Sequence, residues 1–177
     1  MLNKFKTLAR HIWLDASDAE RAITPDMLAR LTDRVTASEA RHSGEVRIYV
    51  EATLPLSYLR RISTALTLKQ LVRQRALMLF SKLRVWDTEH NNGVLIYLQL
   101  AEHAIEIVAD RGIDRFVEAG HWHTMTQHMG LAFKEKNFED GLTQALSEVS
   151  AVLVQHFPLA NSLEPRANQL PNEPGVG

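Results

Sequence analysis

Apolar and polar residues alternate strictly along Glu45-Val46-Arg47-Ile48-Tyr49-Val50-Glu51-Ala52. Val46, Ile48, Val50 and Ala52 share one face, so a half-buried strand is predicted here. The run Val94-Leu95-Ile96-Tyr97-Leu98-Gln99-Leu100 is apolar almost throughout and reads as a central strand buried on both faces. A tight link at Ala101-Glu102-His103 leads to a third strand, Ala104 to Asp110, and Gly112 turns the chain again. Helical spacing takes over between the first two strands. From about Leu66 to Leu83, the residues Leu68, Leu71, Val72, Ala76, Leu79, Phe80 and Leu83 fall on one side. An earlier helix opens with Thr24 as cap, Pro25 at the first position and Asp26 in the first turn. Leu28, Leu31 and Val35 mark its inner face, and Gly44 is expected to close it. Two helices follow the strands. Trp122, Met125, Met129, Ala132 and Phe133 stripe the first; the second is capped by Asn137, carried by Phe138, Leu142, Ala145, Leu146, Val149, Val152 and Leu153, and ended by Pro158.

The order helix-strand-helix-strand-strand-helix-helix predicts an α/β layer structure with a small mixed sheet. Strands one and two, joined by a helix, should run parallel through a right-handed crossover; strands two and three should form an antiparallel hairpin. Residues 21–158 are then one α/β domain, with an N-terminal arm at 1–20 and a tail at 159–177. Proline, asparagine and glycine dominate that tail and large apolar residues are few, so disorder is expected there. In residues 2–14, Leu2, Phe5, Leu8, Ala9, Ile12 and Trp13 share a helical face, with Lys4, Lys6 and Arg10 elsewhere. Such a basic amphipathic segment suits either docking on its own domain or lying on a membrane surface.

Composition narrows the classes. A chain of 177 residues with 45% hydrophobic and 23% charged residues is an ordinary soluble globule in its make-up. The net charge of −1 offers no general field for polyanions, which argues against nucleic acid as a partner. There is no cysteine, hence no disulfide, thiolate nucleophile or thiolate zinc site, and a cytoplasmic location is expected. No stretch reads as a signal peptide or a membrane span.

Candidate chemistry gathers at one edge of the predicted sheet. The topology brings together the start of strand one (Glu45), the start of strand two (Asn91, Asn92) and the end of strand three (Asp110), with Asp87 and Glu89 in the loop above. Flanking strand two, Glu45 and Asp110 would stand about 10 Å apart, two strand spacings. Convergent carboxylate and amide oxygens suit a hard divalent cation such as Ca²⁺. Each residue also has a plainer role open to it: Asp87 and Asn91 as loop-closing Asx residues, Asn92-Gly93 as a turn, Glu45 as an arginine partner, Asp110 as a helix cap. His121 and His123 are neighbours that point about 200° apart on a helix; His121, Met125 and His128 share a face but lack a third nitrogen ligand. Arg41-His42-Ser43-Gly44 matches the letters of the histidine-phosphatase signature, but its histidine precedes a strand instead of following one. Phosphate-binding loops, Asp-x-Asp pairs, Gly-x-Ser-x-Gly elbows and His-Glu-x-x-His helices are all missing. Phosphate ester hydrolysis would have to run through a carboxylate-held ion activating water, with Asp87, Glu89 and Asp110 as ligands and His90 moving the proton.

Four blocks together resemble the TPM domain family of thylakoid and bacterial membrane-associated proteins: Gly44-Glu45-Val46; Val85-Trp86-Asp87 leading into Asn91-Asn92-Gly93-Val94-Leu95-Ile96; Ile107-Val108-Ala109-Asp110-Arg111-Gly112-Ile113; and Phe138-Glu139-Asp140-Gly141-Leu142. The resemblance spans about residues 24–157. It implies a three-layer α/β/α sandwich, a calcium-type site at the same rim and, for some members, acid phosphatase activity. It also implies a LemA-type membrane protein as partner. The chain departs from the family pattern twice: Asn91 stands where an acid commonly precedes the Asn-Gly pair, and Asp110-Arg111 replaces the glycine that commonly opens the turn after strand three. The function expected is that of a soluble, non-catalytic accessory module for membrane-associated partners, able to bind a divalent cation and peripheral to the membrane. The alternative is a metal-dependent acid phosphatase. Glu45, Asp87, Glu89, Asn91, Asn92 and Asp110 are the candidate metal ligands, and His90 is the catalytic candidate.

Overall fold

The computed structural model describes residues 11, 13–14, 16–63, 65–118, 120–122, 124–126, 137–159 and 167–177. Its elements are α1 (Ala16–Ala22), α2 (Pro25–Glu39), β1 (Glu45–Glu51), α3 (Leu56–Leu59), α4 (Leu68–Lys82), β2 (Gly93–Gln99), β3 (Ala104–Ala109), α5 (Arg111–Asp114), α6 (Phe138–His156) and β4 (Gly175–Val176). The strands form one sheet in the order β3-β2-β1-β4. β1 and β2 are parallel, with Glu45 opposite Gly93, and β2 and β3 are antiparallel, with Val94 opposite Ala109.

Why the sheet carries two cores follows from β2, which is buried along its whole length. Val94, Ile96 and Leu98 pack with Val46, Ile48 and Val50 under α1, α2 and α6; Leu95 and Tyr97 point the other way, under α4. Helices therefore cover both faces, giving the three-layer sandwich. Local signals set the helix starts. The Thr24 hydroxyl accepts the Met27 N–H at 3.3 Å, with Pro25 at the first position. Thr67 and Gln70 close a full capping box at the head of α4, a device worth about 1 kcal/mol.

Three expectations are corrected. α2 ends at Glu39, capped at Ala40, so Gly44 does not close it. Gly44 is needed for close approach instead: a Cβ there would come within 2.6 Å of Leu153 Cδ2 and 3.1 Å of the Asn92 carbonyl. α1, α3 and β4 have no counterpart in the sequence reading. The tail is not disordered over 167–177. Leu170 is buried in the α4-side core, Gly175 and Val176 pair with Tyr49 and Val50, and Ala52 N–H donates to the Gly177 carbonyl at 2.9 Å. Arg47 donates to the Pro171 carbonyl at 2.7 Å and also to that of Glu173. Tail residues 160–166, and the helix stripe at Met129, Ala132 and Phe133, lie outside the described residues. Leu170→Asp is expected to unseat this segment. Losing one leucine's burial is worth roughly 2 kcal/mol, so the Ala52 amide should exchange with solvent more than about tenfold faster, as read by hydrogen–deuterium exchange.

Of the N-terminal arm, residues 11, 13–14 and 16–20 are described, the last group as part of α1. His11 is buried: its Nδ1 accepts the Leu54 N–H at 3.2 Å, which leaves Nε2 to donate to Glu102 Oε1 at 3.2 Å. Trp13 stands almost fully exposed beside it. Among the described residues, no helix is long and apolar enough to cross a membrane.

Candidate functional site

The row predicted at the sheet's edge exists. Glu45 lies opposite Gly93, and the Gly93 carbonyl accepts the Asp110 N–H at 2.9 Å. Glu45 and Asp110 are thus two strand spacings apart, about 10 Å. The loop from Arg84 to Asn92 folds over this end because it satisfies itself: Asp87 N–H bonds the Arg84 carbonyl, Asn91 N–H the Thr88 carbonyl, and Asn92 N–H the Thr88 hydroxyl. Asn91 takes φ +52°, a left-handed conformation that asparagine tolerates. Gly112 lets the next turn press against the loop; its N–H donates to the Asn91 carbonyl at 3.0 Å, and a Cβ would overlap that oxygen.

The side chains do not converge with the backbone. Asp87 is exposed and pairs with Arg84. The Asn91 Oδ1 accepts two bonds from the Arg111 guanidinium, at 3.2 and 2.9 Å. Asn92 turns its amide to Ser43 Oγ, 3.3 Å away. Glu45 is buried, and its Oε2 accepts the Leu170 N–H at 3.2 Å. The side chains of Glu89 and His90 face solvent, and the Glu89 N–H is held by Gln169 Oε1 at 2.9 Å. Asp110 differs. Its Oδ1 caps Arg111 N–H at 2.7 Å, while its Oδ2 is buried with no hydrogen-bond partner, in a residue only 7% exposed. A buried carboxylate oxygen left without a partner is costly, and it is the one group here that fits an ion. The set as a whole does not fit a six-oxygen cage, since Asn91 and Asp87 are committed to arginines. Among the described residues, no three His, Asp or Glu side chains cluster as a metal site.

The histidines take other roles. His42 is fully buried; its Nδ1 donates to the Gly44 carbonyl at 3.2 Å, so its Nε2 can accept from Ser38 Oγ at 2.9 Å. It is a buckle between α2 and β1. His121 is exposed against Trp122, and His123 and His128 lie outside the described residues.

Two aromatic side chains stand at this end, Trp86, which the sequence reading included in a family block, and Phe116, which it did not name. Trp86 is 48% exposed, with its indole N–H 3.4 Å from the Ser81 carbonyl. Phe116, just past α5, is 44% exposed, stacked on His156 at 4.8 Å between ring centroids and edge-on to Phe157 at 5.8 Å, with Arg115 over its ring. Aromatic residues are enriched at protein–protein interfaces relative to the rest of the surface. At the opposite end of β1, Glu51 accepts from Arg75 through both carboxylate oxygens and from the Tyr97 hydroxyl at 2.7 Å. Burial, and then the adjacent Glu51 charge, push the Tyr97 phenol far above its ordinary value, so it stays a donor.

These features define an α/β/α domain whose polar rim is closed by its own side chains. The TPM domain family profile matches residues 16–152, and the chain belongs to that family. Among solved structures it is similar to the BA42 protein of the psychrophilic bacterium Bizionia argentinensis, 28% identical, with 88% of this chain and 95% of that one covered and a TM-score of 0.70. The N-terminal domain of a P. gingivalis protein shares the fold at 16% identity, covering 78% of this chain and 82% of that one with a TM-score of 0.58. No curated protein matches the chain in sequence.

Proposed function

We propose that this TPM domain is a non-catalytic docking module for membrane-associated partners, and that it docks through the rim end of the sheet. The observation that carries this reading is the contrast at that end. Trp86 and Phe116 are presented to solvent on fixed supports, while the neighbouring polar side chains are bonded to one another and not aimed at a common point. Family resemblance suggests a LemA-type membrane protein as the partner. Calcium or another divalent ion enters the reading only through Asp110 Oδ2, and docking does not require it. The phosphatase alternative needs Asp87, Glu89 and Asp110 around one ion with His90 beside it. Asp87 is instead paired with Arg84, and Glu89 and His90 face solvent.

Binding to an immobilised LemA-type protein tests the proposal. Hot-spot residues at an interface carry about 2 kcal/mol or more, so Trp86→Ala and Phe116→Ala should each weaken the affinity by about thirtyfold. Unchanged affinity in both variants would sink it.

A further inference from the structure

Arg111 and Asn91 sit in the two segments that meet at the rim, and they bond each other. The Arg111 Nε and Nη2 both donate to Asn91 Oδ1, at 3.2 and 2.9 Å; the Arg111 backbone N–H is held by Asp110 Oδ1 at 2.7 Å, and Gly112 N–H by the Asn91 carbonyl at 3.0 Å. One short stretch of chain after β3 is thereby stitched to the loop before β2. A divalent ion at this place would do the same work: it would draw the loop's side-chain oxygens and Asp110 together and offset their charge. The guanidinium already supplies a positive charge that does not dissociate. It also consumes the Asn91 oxygen that an ion would need. Arg84 forms an ion pair with Asp87 in the same loop, whereas the Arg111 guanidinium bonds the neutral Asn91 amide.

We propose that Arg111 is a resident cation that closes this rim in place of a divalent metal. The rim of this chain is then metal-independent. The proposal goes beyond the docking reading and does not depend on it, since its readout is the protein's own stability.

The test is a set of thermal melts on the full chain, stripped with EDTA and titrated to millimolar Ca²⁺, Mg²⁺, Mn²⁺ or Zn²⁺. Wild type, Arg111→Gly and the double variant Asn91→Asp/Arg111→Gly are compared. The wild-type midpoint is expected to ignore every ion. The double variant is expected to melt lower in EDTA and to recover by about 5 °C, saturably, with at least one ion. Arg111→Gly alone, which adds no carboxylate, should show a smaller recovery in the same direction. Arg111 is exposed and lies outside both cores, so these variants are expected to fold. A saturable shift in wild type that Asp110→Asn abolishes would overturn the proposal, because metal and arginine would then coexist. Indifference of both variants to all four ions would overturn it equally.

Discussion

Glu51→Ala is expected to cost about 3–5 kcal/mol of folding stability, the usual result of removing one partner of a buried ion pair. Glu51 lies at the end of β1 under α4, and its carboxylate takes bonds from Arg75 and from the Tyr97 hydroxyl. Both partners are well covered; Tyr97 is fully buried. Removing the carboxylate strands a largely covered guanidinium that lies 5.6 Å over the Tyr58 ring, at the margin of the α4-side core. The double variant Glu51→Leu/Arg75→Met should recover most of the loss, since replacing both charges avoids the uncompensated one. Urea denaturation of the two variants decides the point. A loss below about 1 kcal/mol in Glu51→Ala would show that solvent reaches Arg75 and that the pair is not a core element.

Gly93→Ala ranks next, at about 3 kcal/mol, near the upper end for overpacking. Its added Cβ would run into the Val85 carbonyl oxygen and lie 3.1 Å from Val85 Cγ1. Val85 has little room to yield: its side chain is fully buried, and its N–H bonds the Phe80 carbonyl at 3.0 Å. The strand cannot yield either, because Gly93 sits between Glu45 and Asp110 in the sheet. The strain should therefore lift the loop from Val85 to Asn92, and with it the Asn91–Arg111 bond. A fall in melting midpoint of roughly 6–12 °C is expected, with exchange at the Asn92 amide rising more than exchange along β2. An unchanged midpoint would mean that the loop is not seated on the strand as described.

The strands and long helices were legible because their patterns are local. Strict alternation marked β1, the unbroken apolar run marked β2, and the Thr24 cap marked the start of α2. Their parallel and antiparallel pairing followed from connection length alone. What stayed hidden depends on distant pairing. Leu170 and Val176 are isolated apolar residues in a polar tail, and their seats on the α4-side core and on β1 are formed by residues far away in sequence. A clue to the Glu51 network was present: Arg75 falls between Leu71, Val72 and Leu79 on the inner face of α4, where a charge needs a buried partner. At the rim, backbone topology brought the right residues to one edge, but side-chain direction did not follow. Arginines at 84 and 111 were available in the same short segments and captured Asp87 and Asn91. Acid counting treated those oxygens as free for an ion, and nearby arginines are what changed the outcome.

The claim that this domain binds and does not catalyse is tested most directly by phosphomonoester turnover. Purified protein, stripped with EDTA and resupplied with Ca²⁺, Mg²⁺, Mn²⁺ or Zn²⁺ in turn, would be assayed on p-nitrophenyl phosphate from acid to neutral pH beside Asp110→Asn. The two proteins are expected to show the same background hydrolysis with every ion. Saturable, ion-dependent turnover by the wild type that disappears in Asp110→Asn would contradict it, and would make the rim a metal-dependent active site.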